Sequence, residues 1–202
     1  QASVLGYFVH EKVERFEARP DKAVATPAFF GSFKVLKNHD LSVRAFYKRM
    51  FRMPTFNDLY YTDMGNAFLK PEYAEQFNVG LKYTRNFEKS PFMRMLDVSV
   101  DAYYNKITDK IIAYPKGQQF RWTMLNLGEV EIKGVDAVLN ALFTLGKLEV
   151  TTKFQYTYQK AIDITDPADT YYRDQIPYIP WHSGSAILAL FYKGWGLNYS
   201  FI

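Results

Sequence analysis

The segment LDVSVDAYYN (Leu96–Asn105) alternates at every position. Leu96, Val98, Val100, Ala102 and Tyr104 fall on one side of an extended chain, and Asp97, Ser99, Asp101, Tyr103 and Asn105 on the other. A helix would mix the two sets, so a period of two demands a strand with one apolar and one strongly polar face. The period recurs in KLEVTTKFQYTYQK, where Leu148, Val150, Thr152, Phe154, Tyr156 and Tyr158 oppose Glu149, Thr151, Lys153, Gln155, Thr157 and Gln159. It recurs again in GVDAVLNALF, with Val135, Ala137, Leu139, Ala141 and Phe143 on one side. Further strands are expected over Leu41–Phe51 and Glu75–Tyr83, and near Ser3–Val9, Ala25–Leu36, Ser183–Tyr192 and Trp195–Phe201. That makes about nine strands, many of roughly ten residues or more, against a usual five or six.

The connections sort into two classes. Short turns are expected at Lys37–Asp40, Thr144–Lys147 and Tyr192–Trp195, with a somewhat longer one around NFEKSPF. Long loops are expected over Arg52–Tyr73, Thr108–Leu127 and Lys160–Trp181. In an antiparallel up-and-down meander the two classes alternate, so every long loop leaves the same end. Aromatic residues stand where strands end: Phe143, Tyr158, Tyr192, Trp195 and Phe201. Long strands, end-sorted loops and terminal aromatics are features of outer-membrane barrels. A soluble β-sandwich that binds a ligand or carbohydrate also alternates apolar and polar residues, and it is the rival reading. It needs neither the strand length nor the sorting. The expected fold is therefore all-β, an antiparallel up-and-down meander forming part of a large transmembrane β-barrel, with residues 1–202 as one partial barrel domain.

Composition removes several functions. Aromatics make up 18 % of the 202 residues, an excess that suits surfaces half apolar and half wet. Without cysteine there is no disulfide, thiolate zinc site or cysteine nucleophile. A net charge of +4 with both signs well mixed offers no basic block for nucleic acid. The first residues, QASVLGYFVHEKVERF, do not read as a signal peptide. No stretch is apolar and long enough for a transmembrane helix, which leaves a barrel open. His10, His39 and His182 are scattered and form no helical zinc pair. No G-x-S-x-G, P-loop or G-x-G-x-x-G occurs, and Asp97 and Asp101 belong to a polar strand face. No catalytic residue, metal site or cofactor is expected. A barrel enzyme with an acid–base–nucleophile set at its rim is a further rival that the sequence does not supply.

The stretch between Phe51 and Tyr83 carries a more specific pattern. Arg52, Pro54 and Thr55 are followed by Leu59 and Tyr60, then Gly65 and Asn66, then Leu69, Pro71 and Glu72. A second block, YYNKITDKI (Tyr103–Ile111), is followed by Asn126, Gly128, Ile132, Gly134 and Val135. In their order and spacing these residues resemble TonB-dependent outer-membrane receptors, in the vitamin B12 and siderophore receptor branch. The resemblance covers at least Leu41–Phe143. It implies a bacterial outer-membrane receptor for a scarce nutrient, cobalamin first and a ferric siderophore second. Its implied partners are outer-membrane lipid, a plug domain and further barrel strands of the same receptor, the TonB complex acting through that plug, and the small-molecule ligand. No plug, TonB box or closing strand is recognisable, so an internal piece of such a barrel is expected.

The residues have physical readings of their own. Pro54 and Pro71 cannot donate to a ladder and fit strand ends, while Arg52 and Glu72 are placed to pair across the hairpin mouth. Gly65 beside Asn66 favours a tight turn. Aromatics in or beside the long loops are Tyr60, Tyr61, Phe68, Tyr114, Phe120, Trp122, Tyr171, Tyr172 and Tyr178. Such rings bury much area at little entropic cost, so they serve either ligand contact or packing at the rim. Tyr60, Tyr61, Asn66, Trp122, Tyr171 and Tyr172 are the expected ligand contacts. Asp163, Asp166, Asp169 and Asp174 form an acidic loop without EF-hand spacing.

Overall fold

The computed structural model describes residues 1–10, 12, 21–36, 40–62, 64–116 and 121–202. Its elements are β1 (Ala2–Val9), β2 (Lys22–Leu36), β3 (Asp40–Arg52), α1 (Phe56–Tyr60), β4 (Glu72–Asn86), β5 (Met93–Lys116), β6 (Arg121–Leu145), β7 (Leu148–Asp163), β8 (His182–Tyr192) and β9 (Trp195–Phe201). The nine strands lie in one sheet in chain order, each antiparallel to the next. Among the described residues there is no second sheet, so the sandwich reading fails on architecture. The turn at Gly146, in the left-handed region at φ 63°, and the turn at Gly194, at φ 87°, lie at the end opposite the β3–β4 and β7–β8 loops. Of the turn expected at Lys37–Asp40, residues 37–39 lie outside the described residues, and Asp40 opens β3.

One expected loop is not a loop. Thr108–Leu127 is mostly strand: pairing keeps one register from Thr108↔Glu129 to Lys116↔Arg121, skipping only Asp109 and Gly128. β5 and β6 reach 24 and 25 residues and project as a hairpin beyond the rest of the wall. Pro115 does not prevent this, because it stands one residue from the end of β5, where a lost donor costs little. The side chains of Ile111 and Met124 then pack against the neighbouring loop, which supports a hairpin too long to stand alone.

The faces alternate as expected. Asp97 accepts from Thr84, Asn140 and Lys82, and Asp101 pairs with Arg44, so these acids share the polar face. Gly80 sits between Arg44 and Asp101 in register, and a Cβ there would collide with both side chains. Gly134 does the same for the Tyr103 ring, which lies across it. The two glycines thus let long side chains span a neighbouring strand on the inner face. Above Tyr103 that face turns apolar. Ala74, Ile107, Val130, Ile132 and Ala161 are buried there with Ile176, whose N–H bonds back to Ala161.

On the opposite face the polarity changes sharply along each strand. Moving toward the long loops, Tyr47 gives way to Arg49, Phe77 to Glu75, Tyr104 to Lys106, Val135 to Lys133 and Tyr158 to Lys160. About ten residues separate Lys133 from Phe143 at the other rim, which at a usual barrel tilt spans roughly the 25 Å height of an apolar membrane band. The five border positions therefore mark one membrane interface, and Phe92, Phe143, Tyr192 and Trp195 stand at the other.

Candidate ligand-binding site

Beyond the border, three segments form a crown. The β3–β4 loop begins with Arg52, whose guanidinium reaches Asp58 at 3.1 Å and Glu72 at 3.6 Å. The expected pairing of Arg52 with Glu72 is present, and their Cα atoms are in register. Thr55 caps α1: its side chain accepts from the Asp58 N–H at 3.2 Å, while Asp58 accepts from the Thr55 N–H at 2.8 Å. This reciprocal pair satisfies N–H groups that a helix start leaves open. The spelling TFND carries that signal in the sequence, and the helix was legible there though not anticipated.

Past α1 the chain is fastened to the β5–β6 hairpin. Asn126 accepts from the Lys70 N–H at 2.7 Å and donates to the Lys70 and Asp109 carbonyls, at 3.0 and 2.7 Å. Asp109 itself holds φ 53°, a left-handed conformation that Asp tolerates better than most residues. Leu59, Leu69 and Ile111 are buried together, with Tyr60 and Met124 packed against them. The loop is thus a braced platform with its own small core.

The expected contacts divide by environment. Tyr60 is half-buried in that small core, with its ring 5.0 Å from Phe56. Asn66 donates to the Met124 carbonyl and accepts from the Phe68 N–H, both at 3.0 Å, so its amide is engaged at each end. Tyr61 is 58 % exposed and Tyr171 71 % exposed, both open to a ligand. The Tyr172 ring has the Arg173 guanidinium 6.0 Å above it. Trp122, near the hairpin tip, meets Tyr178 of the β7–β8 loop with ring centroids 5.7 Å apart. Asn66 and Trp122 therefore converge on one short run of β6, and Phe120 lies outside the described residues. Tyr178 gains most from the structure: it holds φ 65° and closes a cleft of about 230 Å³ between Ile112–Pro115 and Ile176–Tyr178. Sequence could nominate its ring but not its partner.

The acidic loop is occupied by its own backbone. Asp163 accepts from the Thr165 N–H at 2.8 Å, Asp166 from Ala168 at 2.8 Å and Asp169 from Tyr171 at 2.9 Å. Such turns are the usual use of Asp in loops. Among the described residues, no group of three acidic or imidazole side chains gathers as a metal site would require.

Residues 8–202 fit the family model described as TonB dependent receptor-like, beta-barrel. The chain belongs to the TonB-dependent receptor family. Barrels of this family lie in the bacterial outer membrane, as does this receptor chain, and the family's members are receptors rather than enzymes. Two curated relatives are vitamin B12 transporters BtuB. That of Vibrio vulnificus is 34 % identical over 99 residues, 49 % of this chain and 14 % of the relative. That of Photobacterium profundum is 34 % identical over 113 residues, 52 % of this chain and 16 % of the relative. The receptor chain in hand thus aligns with about a sixth or less of those relatives' length.

Proposed function

We propose that residues 1–202 form part of the barrel domain of a receptor that captures cobalamin at the cell surface for TonB-dependent import. The observation that carries this reading is the likeness to two vitamin B12 transporters at 34 % identity. The crown adds physical support. Tyr61, Trp122, Tyr171 and Tyr172 supply rings on a rigid base, while Tyr60 and Asn66 hold that base together. Cobalamin is large, with apolar and amide-bearing edges, and suits a mouth of amphipathic rings. Inside the wall, the polar stripe around Arg44, Asp97 and Asp101 is the surface we assign to the receptor's plug. The plug would couple the bound ligand to the TonB complex.

The test is binding of labelled cobalamin to cells expressing the complete receptor in a host lacking its own. Saturable binding displaced by unlabelled cobalamin, with uptake lost when TonB is deleted, is the expected result. Binding of a ferric siderophore but not cobalamin would overturn the ligand and keep the receptor. Uptake unaffected by TonB deletion would overturn the energised mechanism.

A further inference from the structure

The chain that returns from the β7–β8 loop to β8 carries an irregularity with more support than a connecting loop requires. Gln159 donates to the Trp181 carbonyl at 2.9 Å, and the Ile176 N–H donates to the Ala161 carbonyl at 2.9 Å. Between these contacts β7 advances by two residues while the returning chain takes five, so an excess of three is extruded around Tyr178. This is an enlarged β-bulge, a device found at barrel rims that re-aims a side chain. One residue makes good the lost ladder bonds. The Gln175 amide accepts from the Ala161 N–H and donates to the Ile179 carbonyl, both at 3.0 Å. Ala161 is fully buried, so its N–H would otherwise be left without a partner. Pro177 adds no donor that needs satisfying. Pro177 and Pro180 also restrict the residues before them, Ile176 and Ile179, to extended backbone. Tyr178 itself is held at φ 65°, where a residue with a side chain is uncommon and persists only if its surroundings over-determine it.

The side chain re-aimed in this way is the Tyr178 ring. It meets Trp122 with ring centroids 5.7 Å apart and remains 78 % exposed. It forms one wall of the cleft of about 230 Å³, with Pro177 beside it and Tyr114 and Pro115 of β5 in the facing wall. Tyr114 is 49 % exposed, whereas Ile176, in the same lining, is buried in the inner core. The cleft is therefore fixed at its base and open along its aromatic sides. No charged residue lines it. Tyrosine and proline rings reward a flat guest that can stack on their faces. An ionised guest would lose its water there without finding a partner. The lining thus fits a neutral, planar aromatic group.

We propose that this cleft is the subsite for the aromatic base that cobalamin carries on its nucleotide arm, so that the receptor distinguishes corrinoids by that base. The inference rests on the cobalamin reading above. The base is a neutral, planar heterocycle that stands out from the corrin ring. The corrin with its amide arms is too large for a cleft of about 230 Å³. Tyr61 and Tyr171 lie outside the lining and are left for the corrin, while Trp122 supports the Tyr178 ring.

The test measures the affinity of the complete receptor, purified in detergent, for cobalamin and for cobinamide, which has the same corrin ring without the nucleotide arm. The wild type is expected to bind cobalamin about tenfold more tightly, the scale of one base stacked on an aromatic side chain. Tyr178→Ala should lower cobalamin affinity about tenfold and leave cobinamide affinity unchanged, which also shows that the variant is folded. Tyr178→Phe keeps the ring and should keep the preference. Tyr114→Ala, in the facing wall, should erase the preference without touching the bulge. Tyr171→Ala should weaken both corrinoids alike. Equal binding of the two corrinoids by the wild type would overturn the subsite and leave the cobalamin reading standing. A parallel loss of both affinities in Tyr178→Ala and Tyr114→Ala would do the same. A wild type that binds neither corrinoid would overturn the cobalamin reading itself, and the subsite with it.

Discussion

Each face of the wall sets two like charges opposite one another across a strand pair, and the two faces resolve the repulsion differently. On the inner face Asp101 stands opposite Asp136. Arg44 reaches across Gly80 to the first, and the Thr157 hydroxyl donates to the second at 2.7 Å. The protein answers its own charges there. On the outer face Lys133 opposes Lys160, and Glu131 serves only one of them. The difference teaches where each face expects its remaining partners. An aqueous interior tolerates charge and rewards a closed network, whereas a lipid-facing border can leave neutralisation to the headgroups it meets.

The largest expected effect breaks the comparison at mid-wall. Val98→Lys, on the apolar side, should cost roughly 2–4 kcal/mol of barrel stability. Ser99→Lys, one residue away on the inner face, should cost little. Urea unfolding of the complete receptor in lipid vesicles measures both, and equal costs would mean that the two faces are not differently solvated. Next comes Gly134→Val. A Cβ there runs into the Tyr103 ring and within 2.6 Å of the Tyr158 carbonyl. A loss of about 1–3 kcal/mol is expected in the same unfolding experiment, while a neutral result would show that Tyr103 swings aside freely.

Smaller effects sharpen the picture. Arg44→Ala leaves Asp101 facing Asp136 in a hydrated setting, at about 1 kcal/mol or less. Asp101→Asn added to it should recover most of that loss, and a double-mutant cycle without coupling would place the network's worth elsewhere. Least visible in stability is the crown. Tyr61→Ala should leave unfolding unchanged and weaken cobalamin binding by about 5- to 30-fold, the loss of a contact worth ~1–2 kcal/mol. Tyr60→Ala should instead speed hydrogen exchange across residues 55–70, because its ring packs on Leu59 and Ile111 rather than facing the mouth. The reverse outcome would exchange their roles.

The wall was almost wholly legible in the sequence. A side-chain period of two is a local property, so Leu96–Asn105 or Leu148–Gln159 reveals its faces without knowledge of its neighbours. Strand order followed as well, since short turns force adjacent antiparallel strands. The crown was legible in composition only. Thr108–Leu127 reads as a loop where β5 and β6 continue, because a hairpin's extension depends on what leans against it. Asn66 reads as a turn residue beside Gly65, and Asn126 only as a position of the family pattern. Their bonds to Met124 and to Lys70 and Asp109 span 58, 56 and 17 residues of chain.

The amino-acid sequence by itself determined the fold class, the two faces and the end from which the long loops leave. Only the tertiary structure decided which loop aromatics face outward, how the crown is braced and that Lys133 meets Lys160. The reason is the range of the interactions concerned. Alternation, capping and turn chemistry act over a few residues, and any window of sequence displays them. Cross-strand neighbours are fixed by register, which depends on the exact number of residues in every turn and strand between them.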